Sequence, residues 1–269
     1  PELTQLLVDT LDPRAARATA KLVGEVLAQP LGVSPKKKDK WRTDQKNRLT
    51  VSMTGLGAMG TDDTVDSLMG VVKDKQADAV NQRLRSASAL ALIGTDKART
   101  ALMAFFADKD TSDDLKQPLL QPLTQALQAG DLAAFDKLVK KPKARVAAGL
   151  QDPKVAAYIG CVRECKSNAT CYIEKLKGKD RNQAIKAASV LGSGLGDAAT
   201  VRKALLQAFA EAPTNDADLR RFPLIALLRR PDAQLGDELI KVAEGLGKRE
   251  GYWKTELTAY GHWLNHATK

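Results

Sequence analysis

Cysteine and histidine are scarce in this chain of 269 residues, which has three of the first and two of the second. All three cysteines, Cys161, Cys165 and Cys171, fall within the stretch CVRECKSNATC, and both histidines, His262 and His266, lie far off near the end. Structural zinc needs four ligands, commonly in two close pairs, so the cluster lacks partners for a metal site. Its C-x3-C-x5-C spacing fits no common iron–sulfur run. A catalytic thiol needs a base beside it, and no histidine is near in sequence. No cofactor, catalytic residue or metal ligand is therefore assigned.

Aromatic residues make up only 4% of the chain. The core must come from Ala, Leu, Val and Ile, which suits helices in close contact. Alternating Val, Ile and Thr runs are missing, and with them the usual strand signal. No stretch approaches the roughly 18 uninterrupted apolar residues of a membrane span, and no charged-then-apolar leader opens the chain. Because the numbering begins at Pro1 without Met, an export signal or lipid anchor upstream is left open.

Positive charge is in surplus, with 42 basic against 32 acidic residues and a formal charge of +10. Such a balance favours acidic partners, whether nucleic acid, anionic lipid or protein, and also serves solubility.

Apolar residues recur at three and four along almost the whole chain, which predicts helix after helix. The clearest unit is RLRSASALALIG from Arg83 to Gly94, a Thr95-Asp96 cap, and KARTALMAFF to Phe106. A helix ends on Gly, a capped second helix returns, and the pair is a hairpin. The same grammar recurs over 181–212, 218–247 and 46–75, and more loosely near 2–29, 111–140 and 142–176. Self-similarity at roughly 35 to 50 residues marks a stacked repeat array.

The pattern Arg-x-x-Ala-x-x-Leu-x-x-Leu-Gly, then Asp or Pro-Asp, then an Ala/Leu helix resembles the HEAT-repeat family over nearly the whole chain. The resemblance implies an all-α fold: a right-handed α-solenoid of about six or seven stacked hairpins. It further implies a single repeat domain over 1–269, with second helices lining a concave surface used to grip partners. Two departures are expected to bend or loop the array: a charged insertion near 30–45, and Pro118 and Pro122 in the helix after residue 111.

Within this frame Val155–Cys165 reads as the end of a first helix, Lys166–Thr170 as a turn, and Cys171 as the start of the second. Such a turn brings its flanking Cα atoms to disulfide range. Cys165–Cys171 is the favoured pair, with Cys161 an alternative partner or a buried free thiol; three reduced thiols of a cytosolic helix pair are the competing reading. Short repeats of exported bacterial HEAT proteins are similar. A disulfide implies an oxidising compartment, hence a bacterial periplasm or envelope, with the cytoplasm as alternative. Asn168-Ala169-Thr170 matches a glycosylation acceptor, but turn and cap chemistry explain it equally.

The HEAT-based hydroxylases place His-Glu pairs on successive helices, and this chain has no His-Glu dipeptide. HEAT-like DNA glycosylases are similar in size and charge, yet Trp41, Trp253 and Trp263 are few and terminal for such a groove. In the last helix Trp253, Leu257, Tyr260 and Leu264 follow helical spacing and should seal the final repeat. Trp263 lies off that stripe and is a candidate partner contact, whereas His262 and His266 read as surface. Lys36–Arg42, with Trp41, reads as a solvated loop or a phosphate contact. The basic residues Lys137, Lys140, Lys141, Lys175, Lys177, Arg202 and Lys203 are expected near the concave face, where they could steer an acidic protein. The resulting expectation is a non-enzymatic protein-binding scaffold; a nucleic-acid-binding protein of the glycosylase type is the alternative.

Overall fold

The computed structural model describes residues 62–73 and 80–267. The helix pair near 2–29, the insertion with Trp41 and the helix of 46–57 lie outside them. The described residues form α-helices joined by short turns and 3-10 segments, with no strand among them. The all-α expectation holds.

Contacts group the chain into two compact units, one running to Val155 apart from Gln128–Gly130, the other from Ala156 onward. The first holds α1 (Val65–Lys73), α2 (Val80–Ile93), α3 (Asp96–Ala107), α4 (Asp113–Ala126), α5 (Leu132–Leu138) and α6 (Ala144–Leu150). Pro153–Cys165 forms α7, most of which belongs to the second unit. There follow α8 (Ala169–Leu176), α9 (Arg181–Leu191), α10 (Ala198–Glu211), α11 (Ala217–Leu228), α12 (Leu235–Gly245) and α13 (Gly251–Ala267).

Short polar side chains start these helices by accepting from their first free amides. Thr95 does so for α3, Asn168 for α8, Asp180 for α9, Asp197 for α10 and Asp216 for α11. Asp152 accepts from the amides of Lys154 and Val155 and stands directly before Pro153. That Asp-Pro pair opens α7 as a new helix. The loosely patterned region 142–176 is thus three helices rather than one hairpin.

Within the first unit α2 packs on α1, α3 and α4, while α4 also meets α6 and α3 meets α5. Within the second, α9 meets α8 and α11, α10 meets α8, α11 and α12, and α13 lies along α12. Helices with neighbours on several sides are buried nearly all round. Ala89–Ile93 of α2, Ala184–Ala188 of α9 and Pro223–Leu228 of α11 are accordingly unbroken buried runs.

Small residues permit this closeness. A Cβ on Gly192 would lie 2.8 Å from the Cα of Ala226, so α9 and α11 touch backbone to backbone. In the last helix Trp253, Leu257, Tyr260 and Leu264 are all buried, as their spacing predicts.

The interruption expected at Pro118 and Pro122 is not found, since α4 runs continuously through both. Each proline removes an amide donor. The helix nonetheless sits against α2, α3 and α6, and Leu119, Leu120 and Pro122–Leu127 are buried. Tertiary packing of this kind outweighs local propensity.

Candidate protein-binding surface

The turn between α7 and α8 carries the cysteines. Lys166 adopts a left-handed φ of 49°, Asn168 caps α8, and the Tyr172 hydroxyl donates to the Lys166 carbonyl at 3.0 Å. α8 therefore starts at Ala169 rather than at Cys171. Cys165 and Cys171 form a disulfide with Cα atoms 5.3 Å apart. Cys161 is a buried free thiol whose Sγ faces the Gln183 carbonyl at 3.9 Å. Burial pushes that thiol up to about 11, against the opposing charges of Lys186 and Lys175. It also raises the Tyr172 phenol. Lys186 itself is fully buried on α9.

The expected basic residues fall into two kinds. Lys175 Nζ lies 2.7 Å from Glu164, across the disulfide turn, and that hydrogen bond raises its pKa. Arg202 is sandwiched among Asp232, Gln234 and Glu238, the last at 2.7 Å. These two charges already serve intramolecular contacts. Lys177 and Lys203 in the second unit are exposed. In the first unit Lys137, on α5, and Lys140 and Lys141, just after it, are also exposed.

Sequence inspection did not anticipate that Arg181 and Lys179 belong to a site. The α8–α9 turn faces the α10–α11 turn across a cleft of about 200 Å³. Leu176, Ala184, Ile185 and Leu219 form its floor, and Ala208, Ala212, Pro213 and Pro223 its walls. Lys177, Lys179 and Arg181 stand at one lip and Glu211 at the other. Arg181 is tied across the gap to Asp216 by a two-pronged contact and to Asp218 at 2.8 Å. Those bonds raise the guanidinium pKa and hold the Asp216 carboxyl below its ordinary value. Lys177 and Lys179 are exposed. The signal available from sequence was the density of cations in KLKGKDR, residues 175–181, but the facing side of the cleft, from Ala208 to Pro223, begins more than twenty residues further on.

At the end of the chain Trp263 is half-buried, beside the sealed stripe, while His262 and His266 are exposed. Among the described residues no three His, Cys, Asp or Glu side chains come together so as to hold a metal ion. No helix among them is long and apolar enough to cross a membrane.

Comparison with protein-family models and with curated proteins found no match to this chain.

Proposed function

We propose that this protein is a non-enzymatic binding scaffold, a HEAT-like repeat array that grips an acidic protein partner in the bacterial periplasm or cell envelope. The single observation that carries the binding role is the partly apolar cleft with exposed Lys177 and Lys179 on its lip. An apolar hollow beside uncommitted cations is the arrangement in which a partner side chain gains burial while its charges are steered.

The repeat reading draws support from which helices meet. α1, α3 and α5 form one row in the first unit and α2, α4 and α6 another; α8, α10 and α12, with α9 and α11, do the same in the second. Contact between every second helix is what stacked hairpins require. Arg99 to Asp131 and Arg202 to Asp232 are equivalent links, 32 and 30 residues apart, between successive pairs. A right-handed solenoid is the form we assign to such an array. The envelope location draws on the disulfide, since such bonds persist in oxidising compartments.

The test is photo-crosslinking in native cells, with the reactive side chain placed at Lys140, Lys177 or Lys203. We expect an acidic envelope protein to be captured, and the triple charge reversal Lys140→Glu, Lys177→Glu, Lys203→Glu to slow its association at low salt. Duplex DNA binding whose affinity falls steeply with salt, as counterion release dictates, together with no protein crosslink, would replace this reading with the nucleic-acid one.

A further inference from the structure

We infer that the cleft between the α8–α9 and α10–α11 turns seats a single aliphatic side chain from an acidic segment of a partner protein. The inference rests on the scaffold reading and narrows it to one pocket and one chemistry.

Size sets the first limit. About 200 Å³ is room for a leucine-sized side chain and too little to enclose a helix or a large planar cofactor. The lining decides its character, because Leu176, Ile185 and Pro223, all buried, with Ala208 and Leu219 bring aliphatic carbon to the cleft, while charged side chains also line it. Burying an aliphatic group there is favourable in proportion to the area removed from water.

Rigidity sets the second. Pro213 and Pro223 have fixed φ angles, α8 is pinned at its start by Cys171, and the Arg181 bridge to Asp216 and Asp218 clamps the two turns together. A hollow that is already formed spends little ordering entropy when it is filled. The clamp is also why Arg181, though at the lip, is not a free recognition group.

Charge sets the third. Lys177 and Lys179 are exposed on the α8–α9 side, and Asp180, next after Lys179, accepts from the first amides of α9. Glu211 stands on the opposite wall, where it accepts from Gln207 at 2.8 Å. An incoming acidic segment is drawn to the lysine lip and repelled from the Glu211 wall. The asymmetry fixes which way the segment crosses the cleft as well as its sign.

The experiment uses the full chain and a fluorescein-labelled peptide, blocked at both ends, with one leucine between two pairs of glutamates. Binding is followed by anisotropy and by backbone amide shifts. We expect saturable binding, with shifts confined to the cleft at residues such as Lys177, Ala208 and Leu219. Replacing the peptide leucine by alanine should weaken binding roughly tenfold or more, as loss of a buried aliphatic group requires. A peptide with lysines for the glutamates should not bind. Lys177→Glu with Lys179→Glu, and separately Ala208→Phe, should abolish the shifts while the far-UV spectrum is kept. The peptide substitutions need no change in the protein, so misfolding of a variant cannot mask the answer. Absence of saturable binding, equal affinity for the leucine and alanine peptides, or shifts away from the cleft would overturn the inference. A crosslinked acidic partner at Lys203 that competes with no cleft ligand would then leave the scaffold reading standing without it.

Discussion

Cys165 and Cys171 are joined across the α7–α8 turn, and Cys161, one helical turn back along α7, is left out of the bond with its thiol buried. Proximity along one helix face therefore does not make the three cysteines equivalent. Native protein from an oxidising host should show no rapidly alkylated thiol at pH 8, because burial both shields Cys161 and raises its pKa to about 11. Denaturant without reductant should expose one thiol, and reductant three. Three thiols without reductant would remove the bridge and with it the support for an oxidising compartment.

The bridge spans a sequence separation of 6. Constraining so short a loop in the unfolded chain is worth on the order of 2 kcal/mol by loop-closure entropy. Cys165→Ser with Cys171→Ser should lower the unfolding free energy by that amount, read from a fall in the urea midpoint at unchanged slope, while Cys161→Ser should act through its buried hydroxyl alone.

Two helical glycines should respond to alanine with opposite signs. A Cβ on Gly261 would meet Ile240 Cγ1 at 2.6 Å and the Gly236 carbonyl oxygen at 2.7 Å, so Gly261→Ala should destabilise by about 1–3 kcal/mol through overpacking of α12 on α13. A Cβ on Gly160, inside α7, meets nothing within 4 Å, and Gly160→Ala should gain up to about 1 kcal/mol of helix propensity. Equilibrium urea unfolding of both variants checks the pair.

The Arg99–Asp131 and Arg202–Asp232 links should be unequal when cut. Asp232 also accepts from the amides of Gln234 and Leu235 at 2.9 and 3.0 Å, whereas no capping bond from Asp131 to its own helix is formed. Asp232→Ala should therefore lose a cap worth about 1 kcal/mol in addition to its Arg202 link, and Asp131→Ala should lose no cap. An Asp232→Asn variant, which keeps the cap acceptor, no more stable than Asp232→Ala would show that the cap contributes nothing.

Acid should weaken the fold in a defined direction. The Asp216 pKa is lowered chiefly by its hydrogen bond to Arg181, and the Asp197 pKa by the amide and hydroxyl of Thr200. A carboxyl with a depressed folded pKa contributes stability that is present above its unfolded value, roughly 3.9, and is lost as pH falls through the folded value. Stability should be level near neutrality and decline below about pH 4; in Asp216→Asn the decline should be shallower and the neutral plateau lower.

Much of the helical order was legible because it is local. Gly94 with Thr95, Asp197, and the Pro231-Asp232 step mark helix boundaries by chemistry that needs no distant partner. The aromatic and leucine stripe of α13 was readable for the same reason: one helix face carries it whole. The continuity of α4 was not readable, since Pro118 and Pro122 argue for a break and only the flanking α2 and α6 overrule them. Nor was the fate of the cations. Whether Lys175 meets Glu164 depends on how α8 folds back on α7, and whether Arg202 meets Asp232 on how α10 lies against the start of α12. Lys186 is fully buried within an alanine-rich run, where helix phase alone would have sent a lysine to solvent. The cleft was hidden because its lining is assembled from α8, α9, α10 and α11.

The guanidinium of Arg230 donates to the carbonyls of Leu191 and Leu195 at 3.1 and 2.8 Å, and to that of Gly196 at 2.9 Å. These carbonyls belong to the α9–α10 connection, where Gly194 and Gly196 have φ angles of 105° and 82°. The hairpin of α9 and α10 thus finishes its own turn with a side chain borrowed from just beyond α11. During synthesis that turn stays unlatched until some thirty further residues have emerged and docked, because loop order gained early is retained only when its partner arrives. A fragment cut after Ala212 keeps both helices of the hairpin and loses the lock. A piece that holds this turn with all of its present bonds must reach Arg230, so the α9–α10 pair is completed from outside its own sequence.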